Sequence, residues 1–67
     1  MWYQIYERDE QGRKGACVFD CNASDITDAL LQVCHLNWPN GLFIRPENGE
    51  IREFVADAIP RVECQSY

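Results

Sequence analysis

Between Asp25 and Asn37 the chain reads DITDALLQVCHLN, and an amphipathic helix is the element that accounts for that spacing. Ile26, Ala29, Leu30, Val33 and Cys34 recur at i, i+3, i+4, i+7 and i+8 and form a single apolar stripe. Asp25 is placed to cap the first turn, and Asp28 completes an acidic version of the capping box. Both carboxylates meet the positive end of the helix dipole. Asn37 and the Trp38-Pro39-Asn40-Gly41 run supply the stop. The spacing therefore predicts a helix over 25–37 that must lay one face on another layer.

The flanking sequence supplies that layer. Trp2–Arg8 (WYQIYER) is aromatic and β-branched and predicts a strand, with Tyr3 and Ile5 on one face and Trp2, Gln4 and Tyr6 on the other. The polar run from Asp9 to Gly15 makes a turn, and Ala16–Cys21 (ACVFDC) reads as a second strand. Alternation places Cys17, Phe19 and Cys21 together on it. After the helix, Leu42–Pro46 and Ile51–Ala56 flank Glu47-Asn48-Gly49-Glu50. Asn-Gly favours a two-residue type I′ hairpin turn. That loop pairs Phe43 with Phe54, Arg45 with Arg52, Leu42 with Val55 and Ile44 with Glu53. Pro46 has no N–H for the ladder, and the tail Asp57–Tyr67, with Ile59 and Val62, reads as a short edge strand.

The order is ββαββ, an α+β fold with one helix on one face of an antiparallel sheet. Strand 3 runs parallel to strand 2, so it joins the sheet beside strand 1, giving order 2-1-3-4 with a right-handed crossover. The expected core is Tyr3, Ile5, Ile26, Ala29, Leu30, Val33, Leu42, Ile44 and Val55, with either Ala16/Val18 or Cys17/Phe19 from strand 2. This order gathers charge that the linear sequence hides. The end of strand 2, the helix N-terminus and the Asn-Gly turn fall at one pole, carrying Asp20, Asp25, Asp28, Glu47 and Glu50. The opposite pole mixes Arg8, Asp9, Glu10, Arg13 and Lys14.

Net charge decides which partners suit such a chain. Eleven acids against six bases leave −5 over 67 residues, which disfavours phosphate backbones and anionic membranes and suits a basic partner. No stretch approaches the roughly 20 apolar residues that span a bilayer. Met1 leads straight into strand-like sequence without a signal-type segment, so the expected location is the cytosol, with reduced thiols.

Four cysteines and His35 suggest zinc, which needs ligands about 2.0–2.3 Å from one ion. Cys17 and Cys21 are four positions apart on a strand, roughly 13 Å at about 3.3 Å per residue. They can neither share a metal nor bridge each other. Cys34 and His35 point about 100° apart on the helix and form no nucleophile–base pair. No phosphate loop, nucleophile elbow or HExxH motif is present. The reading is of a chain that is not an enzyme and has no cofactor and no metal. The outer sheet face, expected to carry Phe43, Phe54, Arg45 and Arg52 beside Trp2 or Tyr6, is a possible stacking platform for single-stranded nucleic acid. Opposing that are the net charge and the absence of a Lys/Arg stripe.

Small size, net acidity, absence of catalytic motifs and the sheet-plus-helix order together resemble the small phage-encoded anti-CRISPR proteins. That resemblance implies a DNA mimic that blocks the basic groove of a CRISPR effector in the host cytoplasm. The first half, with its strand, DEQG turn (Asp9–Gly12), second strand and helix opening DITDAL (Asp25–Leu30), is also similar to HicB-type antitoxins, which bind a toxin. It departs from them in lacking their Pro-Gly-Cys stretch. The expected function is that of a non-catalytic, monomeric inhibitor of a basic nucleic-acid-binding complex, with no direct nucleic acid or membrane contact. Its partner-binding residues are Asp20, Asp25, Asp28, Glu47 and Glu50, with Glu53 and Asp57 as lesser candidates on the far edge.

Overall fold

A computed structural model describes residues 1–60; Val62 and Cys64 of the sequence reading lie outside the described residues. Strand β1 (Trp2–Arg8) sits inside the sheet and pairs on both sides. β2 (Lys14–Asn22) and β3 (Leu42–Pro46) flank it, and β4 (Arg52–Phe54) completes an antiparallel sheet of order β2-β1-β3-β4. Helix α1 (Ile26–Val33) makes the crossover between β2 and β3. The expected ββαββ order and topology hold; a 3₁₀ turn at Ala56–Ala58 opens the tail where an edge strand over 57–67 was expected, and residues 61–67 of that expectation lie outside the described residues.

Helix α1 begins as its sequence requires. Asp25 Oδ1 accepts from the Asp28 amide at 2.8 Å, while Asp28 Oδ2 accepts from the Ser24 amide at 3.0 Å. Losing such a cap costs about 1 kcal/mol. The helix is shorter than its apolar spacing predicts and ends at Val33 rather than Asn37. The Val33 carbonyl takes the Leu36 amide at 3.0 Å and the Trp38 indole N–H at 2.7 Å, so the chain turns off the helix axis there.

Seven of the expected core residues are buried: Tyr3, Ile5, Ala29, Leu30, Val33, Leu42 and Ile44. Ile26 is half-buried, and Cys21, Ala23, Cys34 and Ile59 join the core. Val55 does not; it is 47% exposed. The cause is the β3–β4 register. Leu42 pairs with Phe54, Phe43 with Glu53 and Ile44 with Arg52, one residue from the expected pairing. A one-residue slip exchanges the faces of a strand. Phe54 thus packs on the core and Arg52 shares its face, while Val55 turns outward.

The slip begins at the loop. Glu47 donates its amide to the Trp2 carbonyl at 3.0 Å and takes the Trp2 amide on Oε1 at 3.2 Å. Gly49 N approaches the Pro46 carbonyl at 3.5 Å, and neither Asn48 nor Gly49 has positive φ. A type I′ turn needs positive φ at both central residues, so the connection is a longer one spanning 47–51.

Strand β2 likewise escapes simple alternation. Its register against β1 shifts between Ile5 and Tyr6 and again between Tyr6 and Arg8. These irregularities act as β-bulges, which reset the face a strand presents. Cys21 and Phe19, opposite Tyr3 and Ile5, stay on the helix face, while Cys17 pairs with Tyr6 on the outer face. Only Cys21 of this strand is buried; Ala16, Cys17, Val18 and Phe19 are exposed, so neither expected pair enters the core.

Candidate functional site

The end of the sheet where β1 begins brings together five carboxylates that make no ion pair among the described residues. Ala23 N donates to Met1 O and Glu47 N to Trp2 O, both at 3.0 Å, so the end of β2 and the end of β3 close on the start of β1. Asp25 follows Ala23 at the helix cap, and Glu50 follows Glu47 in the loop. Asp20 lies on the outer face opposite Gln4, whose other neighbour is Arg45. Asp28 reaches the same region from the helix. The Cys21 thiol is pushed above its ordinary value first by burial and then by the charges of Asp28 and Asp20. Among the described residues, Asp20, Asp25, Asp28, Glu47 and Glu50 make no ion pair.

The two lesser candidates are elsewhere. Glu53 pairs with Phe43 and takes the Arg8 guanidinium at 2.6 Å, a contact Arg8 shares with the Asn40 carbonyl at 2.8 Å. Asp57 lies in the 3₁₀ turn after β4, away from the acidic end. Asp9, also remote, has its carboxyl held below the ordinary range by the Arg13 amide, with help from the Gln11 amide and the Arg13 and Arg8 charges. Away from the acidic end, arginine neutralises Glu53 and Asp9 through Arg8–Glu53 and Arg13–Asp9.

Two features of the acidic end are missing from a count of charges. Asp25, Asp28 and Glu47 each hold a backbone amide, at 2.8, 3.0 and 3.2 Å, so they brace the fold as well as facing water. Arginine is also present. Arg45 shares an outer-face depression with Trp2, Gln4, Asp20 and Glu47, and Arg52 lines a separate groove with Met1, Ile26, Pro46, Glu50 and Ile51. The signal for Arg45 was available, since strand alternation puts it beside Gln4; the signal for Arg52 was not, because it depends on the register.

The outer face keeps part of the aromatic platform expected from sequence. Trp2, Tyr6, Phe43 and Arg45 share it, with Lys14 Nζ 4.2 Å from the centre of the Tyr6 ring. Phe54 and Arg52 are removed from it by the register slip.

No group of three His, Cys, Asp or Glu among the described residues is placed to hold a metal ion, and no helix there is long and apolar enough to cross a membrane. Cys17, Cys21 and Cys34 are free thiols. Iodoacetamide should alkylate the exposed Cys17 rapidly, and Cys21 and Cys34, 6% and 8% exposed, far more slowly. Peptide mapping by mass spectrometry over time measures the order; equal rates for Cys17 and Cys21 would contradict the burial and the raised thiol pKa. No family model, curated protein or solved structure matches the chain in the comparisons made.

Proposed function

We propose that the chain is a non-catalytic inhibitor that sets its acidic end into the Lys/Arg-lined groove of a nucleic-acid-binding complex. A CRISPR effector is the partner class to which the sequence resemblance points. The observation that carries the reading is the gathering at one end of five carboxylates that make no ion pair among the described residues, whereas Glu53 and Asp9 elsewhere are held by arginine. DNA presents one negative charge per about 1.7 Å of axis, and the grooves that bind it are lined with Lys and Arg. A domain bearing fixed carboxylates can occupy such a groove and exclude the nucleic acid without a cofactor or an enclosed pocket.

The hydrogen bonds at this end support the same reading. Backbone amides hold one oxygen each of Asp25, Asp28 and Glu47, which leaves the second oxygen of each to face a partner. Groups that are already ordered lose less freedom on binding. Electrostatic steering by such a surface raises the association rate and is weakened by salt.

The test is a mobility-shift assay in which a CRISPR effector complex is offered its target duplex with and without an excess of this chain. Duplex loading should fall when the chain is added first, and inhibition should fade steeply as salt is raised. Unchanged loading at low salt excludes this partner. Tight binding of the chain itself to a single-stranded oligonucleotide at physiological salt would replace the proposal with direct nucleic-acid recognition by the Trp2/Tyr6/Phe43/Arg45 face.

A further inference from the structure

The two edges of the sheet are protected very differently. β4 is three residues long and bears Arg52 and Glu53, and short, charged strands discourage pairing with another chain. β2 is nine residues long, contains no proline, and exposes Val18 at 46% and Phe19 at 40%. Among the described residues no strand pairs with its outer edge. Met1 and Ala23 exchange both backbone hydrogen bonds, at 3.0 and 3.2 Å, so alternation along the strand turns the backbone groups of Asp20 and Asn22 away from β1. At the other end Arg8 donates its amide to Gly41 on the β3 side, at 3.4 Å. The backbone groups of Lys14, its β2 partner, then also point outward.

We infer that β2 is a dimerisation edge on which a second copy of this chain pairs antiparallel, about a two-fold axis through Cys17. The register follows from charge and shape. β2 carries one base, Lys14, and one acid, Asp20, so this edge is locally neutral although the chain is strongly acidic. Centring the pairing on Cys17 sets Lys14 opposite Asp20 of the second copy, twice by symmetry, with both side chains on the outer face. The same register lays Phe19 across from Gly15 of the second copy, where an aromatic ring can cover a residue that has no side chain. Shifting the axis to Asp20 would place like charges opposite each other. The two four-stranded sheets then join into one, and their acidic ends point in opposite directions. A monomer, the state expected from sequence, would leave this edge without a partner strand among the described residues. The inference does not rest on the inhibitor reading: of the acidic-end carboxylates only Asp20 enters this contact, while Asp25, Asp28, Glu47 and Glu50 lie outside β2.

Sedimentation equilibrium of the full chain across the micromolar range should give the dimer mass. Lys14→Glu places two acidic pairs in the contact and should weaken dimerisation about thirtyfold, and Lys14→Glu with Asp20→Lys should restore it. Circular dichroism checks that each variant is folded. A second readout is independent of these substitutions. In a Cys64→Ser background, diamide should link the two Cys17 residues. The Sγ–Sγ bond forms as two thiols lose two protons and two electrons, which diamide accepts. Facing Cα atoms in such a pair lie within about 5.5 Å, inside the disulfide range. A monomer at all concentrations overturns the proposal. So does a dimer that is insensitive to Lys14→Glu, or one that diamide does not link through Cys17.

Discussion

Gly41→Ala is expected to abolish the cooperative fold. Gly41 is buried at the entry to β3 with φ of 102°, outside the range that residues with a Cβ adopt comfortably. A Cβ built there lies 2.2 Å from the Phe54 carbonyl oxygen and 3.0 Å from the Val55 Cα. Both obstacles are backbone, so relief requires β4 to move away from β3. Strain of this kind costs about 1–3 kcal/mol before any strand is displaced. Losing β4 also uncovers Phe54 and the Leu42 contact beneath it. A chain of this length has about 5 kcal/mol of stability, so the sum removes most of it. Urea denaturation followed by circular dichroism measures the effect, and a variant with a wild-type midpoint would show the close approach to be absent. Gly49→Ala is the matched control. Its φ is not positive and its added Cβ would lie 3.4 Å from the Pro46 side chain, so it should change stability by no more than about 1 kcal/mol.

The second large effect concerns binding. Glu47→Lys with Glu50→Lys should weaken association with a basic nucleic-acid-binding complex by several kcal/mol, because two attractive contacts become like-charge contacts. The fold pays unequally for the two changes. Glu50 is exposed in the loop with no ion pair among the described residues, and its reversal should shift stability by about 0.5 kcal/mol or less. Glu47 takes the Trp2 amide at 3.2 Å, so its reversal also removes a hydrogen bond, a loss of about 1 kcal/mol. Glu47→Gln separates the two terms, since it keeps an acceptor oxygen while losing the charge. Calorimetric titration of the partner with each variant measures the binding, and urea midpoints measure the folding cost. If the double variant binds as tightly as the original chain, the acidic end is not the contact surface.

Much of the fold was legible because it follows from direction and period. The apolar stripe from Ile26 to Cys34 requires a helix, and a strand on either side of it requires a crossover. Only the place beside β1 then accepts β3 antiparallel. β1 and β3 match their expected bounds for the same reason, as each has clean alternation. The register of β3–β4 was not legible. Asn48-Gly49 signals a tight turn, but Glu47 is drawn to Trp2, a residue far away in sequence, and the loop lengthens to suit. The faces of β2 were hidden similarly, since its two register shifts appear only when it is laid against β1. For the acidic end, topology alone brought Asp20, Asp25, Asp28, Glu47 and Glu50 together. Composition could not show that Asp25 and Asp28 also hold helix amides, that Arg8 has claimed Glu53, or that Arg52 stands near the same end.

The central place of β1 has a consequence for how the chain folds. β1–β2 and β3–β4 are each hairpins closed by short local loops, whereas β1 meets β3 only after the whole crossover has been gathered in. Closing a long loop costs entropy before any contact offsets it, so this seam is the slow step of assembly. Ile5 against Ile44, both fully buried, lies in the middle of it. Core contacts along that seam therefore control the rate at which the native sheet is reached, while the turn residues of either hairpin mainly control how readily its own half forms.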